Sequence, residues 1–147
     1  MKIALGSDMN TSLAKFLAEE LKKRGHEVDA FGALVATPAQ WTKVAIEVAE
    51  KVAAGEYGQA VLCCWTGTGI SLAANKVKGI RAALCGDAQT AAGARMWNDA
   101  NILCLSLRAT SEEVAREILD AWFENEPSTN EEDVACLRYL AEWEARH

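Results

Sequence analysis

The sequence predicts an α/β fold of three layers: a five-stranded parallel sheet covered by helices on both faces, with an extra helix at the C-terminal end. Three observations predict it. Five short apolar runs are separated by stretches with helical spacing of apolar residues. The runs are apolar almost throughout, as strands buried on both faces are. Their regular alternation with helices gives repeated βαβ units, which require parallel strands.

Each element can be justified in turn. Lys2 to Gly6 reads as a buried strand. Thr11 to Gly25 places Leu13, Phe16, Leu17 and Leu21 at helical spacing and closes on Lys22, Lys23 and Arg24 before Gly25. Cations in a last turn followed by glycine mark a helix C-terminus. Glu27 to Phe31 is the second strand. Pro38 to Ala54 is expected to be a helix, with Pro38 in its first turn and Trp41, Val44, Val48 and Val52 as its apolar stripe. Gln59 to Cys64 is the third strand and Ile70 to Val77 a helix. Arg81 to Cys85 is the fourth strand. Asp87 to Trp97 is a helix with Asp87 as its N-cap. Asn101 to Leu105 is the fifth strand, and Ser111 to Phe123 a helix opened by a capping serine. Residues 1–125 thus form one domain. Glu126 to Asn130 is a linker, and Glu131 to Arg146 a last helix. The spacing of Val134, Leu137, Leu140 and Trp143 predicts that it packs on the domain or on a partner subunit.

Composition narrows the function. A chain of 147 residues buries roughly two-thirds of its unfolded surface as one domain. A net charge of -6 argues against nucleic-acid binding, which favours basic surfaces. No apolar run approaches the roughly 20 residues of a membrane span. The five cysteines, Cys63, Cys64, Cys85, Cys104 and Cys136, show no metal spacing, and the histidines are only His26 and His147. A reduced, cytoplasmic protein without a metal is expected, and no leader precedes the first strand.

In parallel sheets ligands bind beyond the strand carboxyl ends. Here those ends are Gly6-Ser7-Asp8, Cys64 to Gly69, Cys85-Gly86-Asp87 and Leu105 to Arg108. The densest chemistry lies at Cys64-Trp65-Thr66-Gly67-Thr68-Gly69-Ile70-Ser71. A thiol ends the strand, and a glycine loop and a helix N-terminus follow. A thiolate can take a proton from carbon, and loop N–H groups can hold the oxyanion that develops. The loop lacks the third glycine of a dinucleotide fingerprint and follows the third strand rather than the first. It suits a smaller anion. Cys64 could equally be an inert strand-end thiol, while Cys63 points to the other side, into the core. Asp8 could cap the next helix, as could Asn10, Thr11 or Ser12, or it could bind a sugar hydroxyl. Asn98-Asp99-Ala100-Asn101 could be a turn or a hydroxyl-binding amide site. Arg108 and Arg138 could be surface charges or phosphate ligands.

In this order these residues resemble the ribose-5-phosphate isomerase B family, which includes the subunits of galactose-6-phosphate isomerase. The resemblance runs from Met1 to about Phe123. It is carried by Lys2-Ile-Ala-Leu-Gly-Ser-Asp8, Thr66-Gly67 and Gly69, Ala73-Ala-Asn-Lys76, Gly79-Ile-Arg-Ala-Ala-Leu-Cys85 and Asn98-Asp-Ala-Asn-Ile-Leu103. It implies a Rossmann-like sheet and a homodimer or tetramer with active sites at the subunit interface. It implies aldose–ketose isomerisation of a sugar phosphate through an enediolate, without a cofactor. On this chain Cys64 matches the catalytic base, and the backbone of Gly67, Thr68, Gly69, Ile70 and Ser71 the anion hole. Thr66 matches a catalytic-loop threonine near the sugar ring, Asp8 and Asn98 match hydroxyl ligands, and Arg108 and Arg138 match phosphate ligands.

The chain departs from that pattern at defined places. Met9 and Trp97 stand where the family has histidines, the second of which opens the furanose ring. Trp65 replaces a glycine, Thr37-Pro38 replaces Tyr-Pro, and Val134 replaces an arginine. Met9, Trp65 and Trp97 are expected to reshape the pocket for an acyclic or atypical substrate such as a tetrose phosphate. The alternative expectation is a catalytically inactive sugar-phosphate-binding protein or partner subunit.

Overall fold

The computed structural model describes residues 1–147. In chain order the elements are β1 (Lys2–Ser7), α1 (Ser12–Lys23), β2 (Glu27–Gly32), α2 (Trp41–Ala53), β3 (Gln59–Cys64) and α3 (Thr68–Ala74). They continue with β4 (Ala82–Leu84), α4 (Ala88–Asn98), β5 (Ile102–Ser106), α5 (Glu112–Glu124) and α6 (Glu131–Arg146). The strands form one parallel sheet in the order β2-β1-β3-β5-β4. No helix is long and apolar enough to cross a membrane.

The alternation of side chains along each strand builds two cores. Ile3, Leu5, Val61, Cys63, Leu103 and Leu105 face α1, α4 and α5. Ala4, Ala60, Leu62, Cys64, Ile102 and Cys104 face α2 and α3. Cys63 is therefore a core residue, as expected, and Cys64 belongs to the opposite face. Trp122 anchors the first core. It is fully buried, its Nε1–H donates to Gln59 Oε1 (2.9 Å), and the Arg95 guanidinium lies over its ring.

The caps follow the sequence signals. Asp87 accepts from the Thr90 N–H at α4, and Ser111 from the Val114 N–H at α5. At α1 the cap is Thr11, which accepts from the Ala14 N–H (3.3 Å), so Asp8 is free of that duty.

Several boundaries differ from expectation. Pro38 lies outside α2, which begins at Trp41 after Gln40 in extended backbone. α3 begins at Thr68 rather than Ile70 and ends at Ala74. β4 keeps only three ladder residues. Beyond α3, the Asn75 side chain grips Ala82, donating to its carbonyl (2.9 Å) and accepting from its N–H (2.8 Å). That pairing satisfies part of the open edge of the sheet.

Helix α6 stands apart. Asn130 caps it and none of its residues is buried. Glu144 tethers it by accepting from the Gly79 N–H (2.7 Å), while Tyr139, Leu140 and Trp143 remain exposed.

Candidate active site

The chain runs from β1 outward to β2, then returns past β1 to β3 on the other side. This reversal makes the carboxyl ends of β1 and β3 the place where an open α/β sheet forms its ligand crevice. Ser7 pairs with Cys63, and Cys64 pairs with Ser106. One residue past Ser7, Asp8 continues the ladder by donating its N–H to the Cys63 carbonyl (3.4 Å). Asp8, Cys64 and Ser106 therefore lie at one level across three adjacent chain segments, Cys64 on the face toward α2 and α3. Adjacent strands in a sheet are about 4.8 Å apart.

The end of β5 is joined to the turn after Cys64. The Leu107 N–H donates to the Cys64 carbonyl (2.9 Å), and the Arg108 N–H to the Trp65 carbonyl (3.0 Å). The Ser106 hydroxyl donates to that same carbonyl (2.9 Å) and accepts from the Ala109 N–H (3.1 Å). The Arg108 backbone is thereby held against the turn that follows Cys64. Cys64 itself is only 5 % exposed, and next to it Trp65 is 51 % exposed.

The loop turns at Gly67, whose φ is +79°. A Cβ there would stand 2.5 Å from Leu84 Cδ1 and 3.0 Å from the Leu105 carbonyl carbon, so position 67 has room only for glycine. The turn leaves the first N–H groups of α3 without an intrahelical acceptor. Those of Thr68, Gly69 and Ile70 precede the first intrahelical acceptor. The expected anion hole extended to Ser71, but the Ser71 N–H is committed to the Gly67 carbonyl (3.3 Å) because the helical ladder has begun there. The Ser71 hydroxyl lies against the Cys104 thiol. Thr66 and Thr68 share a hydrogen bond between their hydroxyls (2.8 Å). Trp41, expected in the stripe of α2, instead roofs this loop: its ring comes within 3.1 Å of where a Gly69 Cβ would be.

Electrostatics distinguish these groups from the other polar side chains nearby. Asp8 Oδ1 is buried and has no hydrogen-bond partner. Burial pushes its carboxyl above the ordinary aspartate value, against a smaller opposing hydrogen bond to its own backbone. Burial also pushes the Cys63 and Cys104 thiols up, and Cys85 up to about 12, so these three cysteines stay protonated. Met9 is 41 % exposed beside Asp8, its backbone held by the Ser7 hydroxyl, which accepts from the Met9 N–H (3.2 Å) and donates to its carbonyl (2.6 Å).

Three expected site residues are not brought to this edge. Trp97 and Asn98 end α4 and precede β5, whereas Cys64 stands opposite the last residue of β5. At about 3.3 Å per residue, β5 alone separates the two levels by roughly 13 Å. Trp97 is expected from the sequence to reshape the pocket together with Met9 and Trp65. In the single chain it instead lines, with Asn98, Ile80, Leu140 and Trp143, a cleft of about 510 Å³ beneath α6. Arg138 lies on α6 beside Thr129, Glu131 and Val134.

The Asn98–Asn101 turn is rigidly built. Asp99 is left-handed (φ 44°) and bridges Arg81 (3.3 Å) and Arg95 (3.6 Å). The Asn101 amide is spent on backbone, accepting from the Arg81 N–H (2.8 Å) and donating to the Gly79 carbonyl (2.9 Å). Asn101 is thus structural. Ser106, Trp41 and Arg95 did not stand out as site residues in the sequence. Only Ser106 carried a signal there, as a polar residue ending an apolar strand at the ligand edge.

Comparison with known proteins places this fold among sugar-phosphate isomerases. The family described as Ribose/Galactose Isomerase matches residues 3–136. Ribose-5-phosphate isomerase B of Escherichia coli (strain K12) is 39% identical over 122 residues, 82% of each chain. D-erythrulose-4-phosphate isomerase of Pectobacterium atrosepticum is 33% identical over 132 residues, covering 86% of this chain and 84% of that one. Among solved structures, ribose-5-phosphate isomerase B of Clostridium thermocellum superposes with a TM-score of 0.92 at 39% identity, covering 99% of both chains.

Proposed function

The chain belongs to the ribose/galactose isomerase family, and from that premise we propose that it interconverts an aldose phosphate and a ketose phosphate through an enediolate. The observation that carries this is Asp8 and Cys64 at one level of the sheet edge, beside the N–H groups of Thr68, Gly69 and Ile70 that have no intrahelical acceptor. Cys64 is the base that carries a proton between C1 and C2. The loop N–H groups stabilise the enediolate oxygen, each worth roughly 3 kcal/mol in such sites. Thr66 lies beside the sugar chain, Asp8 meets a substrate hydroxyl, and Arg108 holds the phosphate by its planar fork. The chemistry is proton transfer alone and calls on no cofactor.

Asn98, Trp97 and Arg138 reach a Cys64 site only if a second copy supplies them, so the working unit is a homodimer, or a tetramer of such dimers, with active sites between chains. Two features support this. Met9 and Trp65 stand exposed around Cys64, and the apolar face of α6 is uncovered. Its five free cysteines suit a reducing compartment such as the cytoplasm.

The preferred substrate is a tetrose 4-phosphate. Its O4 is esterified, so it cannot close to a furanose, and it needs no ring-opening histidine. Trp97 in place of that histidine and Trp65 in place of a glycine both fit a shorter, acyclic sugar, and a relative bearing the name D-erythrulose-4-phosphate isomerase supports the choice. Parallel kinetics on ribose 5-phosphate and erythrulose 4-phosphate test it. Higher kcat/KM on erythrulose 4-phosphate is expected, and a clear preference for ribose 5-phosphate overturns the tetrose assignment. Absence of turnover and of solvent-deuterium exchange with every sugar phosphate tried would make the chain a binding protein instead.

A further inference from the structure

Moving a carbonyl between C1 and C2 requires two proton transfers of different kinds. One is between carbons, and a thiol at Cys64 performs it. The other is between oxygens, since the aldose carries its hydroxyl proton on O2 and the ketose on O1. We propose, on the basis of the isomerase reading above, that Asp8 is the group that moves the oxygen-bound proton, a catalytic role beyond hydroxyl binding.

The geometry favours Asp8. Its N–H bond to the Cys63 carbonyl (3.4 Å) sets it one residue past the end of β1, at the level of Cys64 on the neighbouring strand. Groups on adjacent strands at this spacing reach two adjacent atoms of one small substrate. Its Oδ1 is buried without a partner, although helix capping is already done by Thr11. A buried carboxyl oxygen left unpaired costs stability unless something binds it.

The other candidates at this edge are occupied or remote. The Ser106 hydroxyl is committed to the Trp65 carbonyl, and the Thr66 and Thr68 hydroxyls bond each other. Arg108 does not release its proton. Asp87 caps α4 beyond the far edge strand. Lys43 and Glu47 line a separate cleft beside β2. His26 contacts the chain's amino group and Phe123, and His147 ends α6. Desolvation, which raises the carboxyl's affinity for a proton, suits Asp8 to hold and return one.

The step balances without a co-reactant. The Cys64 thiolate takes the C2 proton of the aldose, the C–H electrons form C1=C2, and the carbonyl oxygen O1 takes the proton of the Asp8 carboxyl. The Asp8 carboxylate then takes the O2 proton, C2=O forms, and the Cys64 thiol returns its proton to C1. Both groups end as they began.

Asp8→Asn tests the assignment, because it keeps size and hydrogen bonding but cannot exchange a proton. Isomerisation and incorporation of solvent deuterium at C1 are both measured on erythrulose 4-phosphate, with wild type alongside and thermal melting as the control for folding. Carbon exchange needs only Cys64 and the loop N–H groups, whereas isomerisation also needs the oxygen shuttle. The expected result is a kcat for isomerisation lowered by about 10²-fold or more, KM close to wild type, and deuterium exchange lowered much less than isomerisation. A rise in KM with kcat retained, or a parallel fall of exchange and isomerisation, makes Asp8 a binding residue and overturns the proposal. Wild type inert in both assays overturns the isomerase reading itself.

Discussion

Asp8, one residue past β1, stands at the level of Cys64, the last residue of β3, held there by the bond from the Asp8 N–H to the Cys63 carbonyl (3.4 Å). A thiol and a carboxyl are thereby brought, by backbone pairing, to the switch point of the fold.

Replacing the thiol separates chemistry from folding. Cys64→Ala is expected to lower kcat by about 10²–10⁴-fold or more, the usual range for a positioned general base. The change removes one sulfur at the rim of the core, so the melting temperature should stay near that of wild type. Near-normal turnover by Cys64→Ala would remove Cys64 from the mechanism.

Placement of Asn98 at the far end of β5 predicts complementation between inactive variants. Cys64→Ala and Asn98→Ala homodimers should each be nearly inactive. After unfolding and refolding together, half of the dimers are mixed and each has one site free of both changes, so activity should recover to about a quarter of wild type if subunits pair at random. Unchanged inactivity after verified mixing would place Asn98 and Cys64 in the same chain's site.

Gly67 fixes the aim of the loop. Gly67→Ala puts a side chain in left-handed backbone, a cost of about 1–2 kcal/mol, and presses it on Leu84 and the Leu105 carbonyl. A lower melting temperature and a reduced kcat are both expected, read by thermal denaturation and steady-state kinetics. Wild-type kcat in this variant would show that the loop N–H groups do not hold the developing charge.

Asp8 burdens the fold that it serves. Burial raises its pKa above the unfolded 3.8. A group raised in this way favours the native state below the unfolded value, and that preference is lost as pH rises through the folded value. Ionising the carboxyl is therefore less favourable in the folded protein than in the unfolded chain. Asp8→Asn should melt above wild type at pH 7, with the gap narrowing as pH falls toward 4. A gap independent of pH would assign the effect to packing rather than ionisation.

Much of this protein is decided locally, and so its sequence determined the alternation of strands and helices, the caps at Asp87 and Ser111, the core role of Cys63 and the thiol–loop sequence at Cys64. Each depends on residues within a few positions of one another, where periodicity, cap chemistry and glycine leave direct marks. Tertiary structure alone decided the rest. Trp41 roofing Gly69, Ser106 completing the row with Asp8 and Cys64, and the early start of α3 come from packing between elements far apart in sequence. The level of Asn98 and Trp97 was likewise invisible in the sequence. A residue before a strand and a residue after its neighbour look equally close to a ligand in a list of motifs, but a parallel sheet holds them at opposite edges. On the proposed dimeric reading, that separation, set by the length of β5, divides one chain's expected site residues between two half-sites.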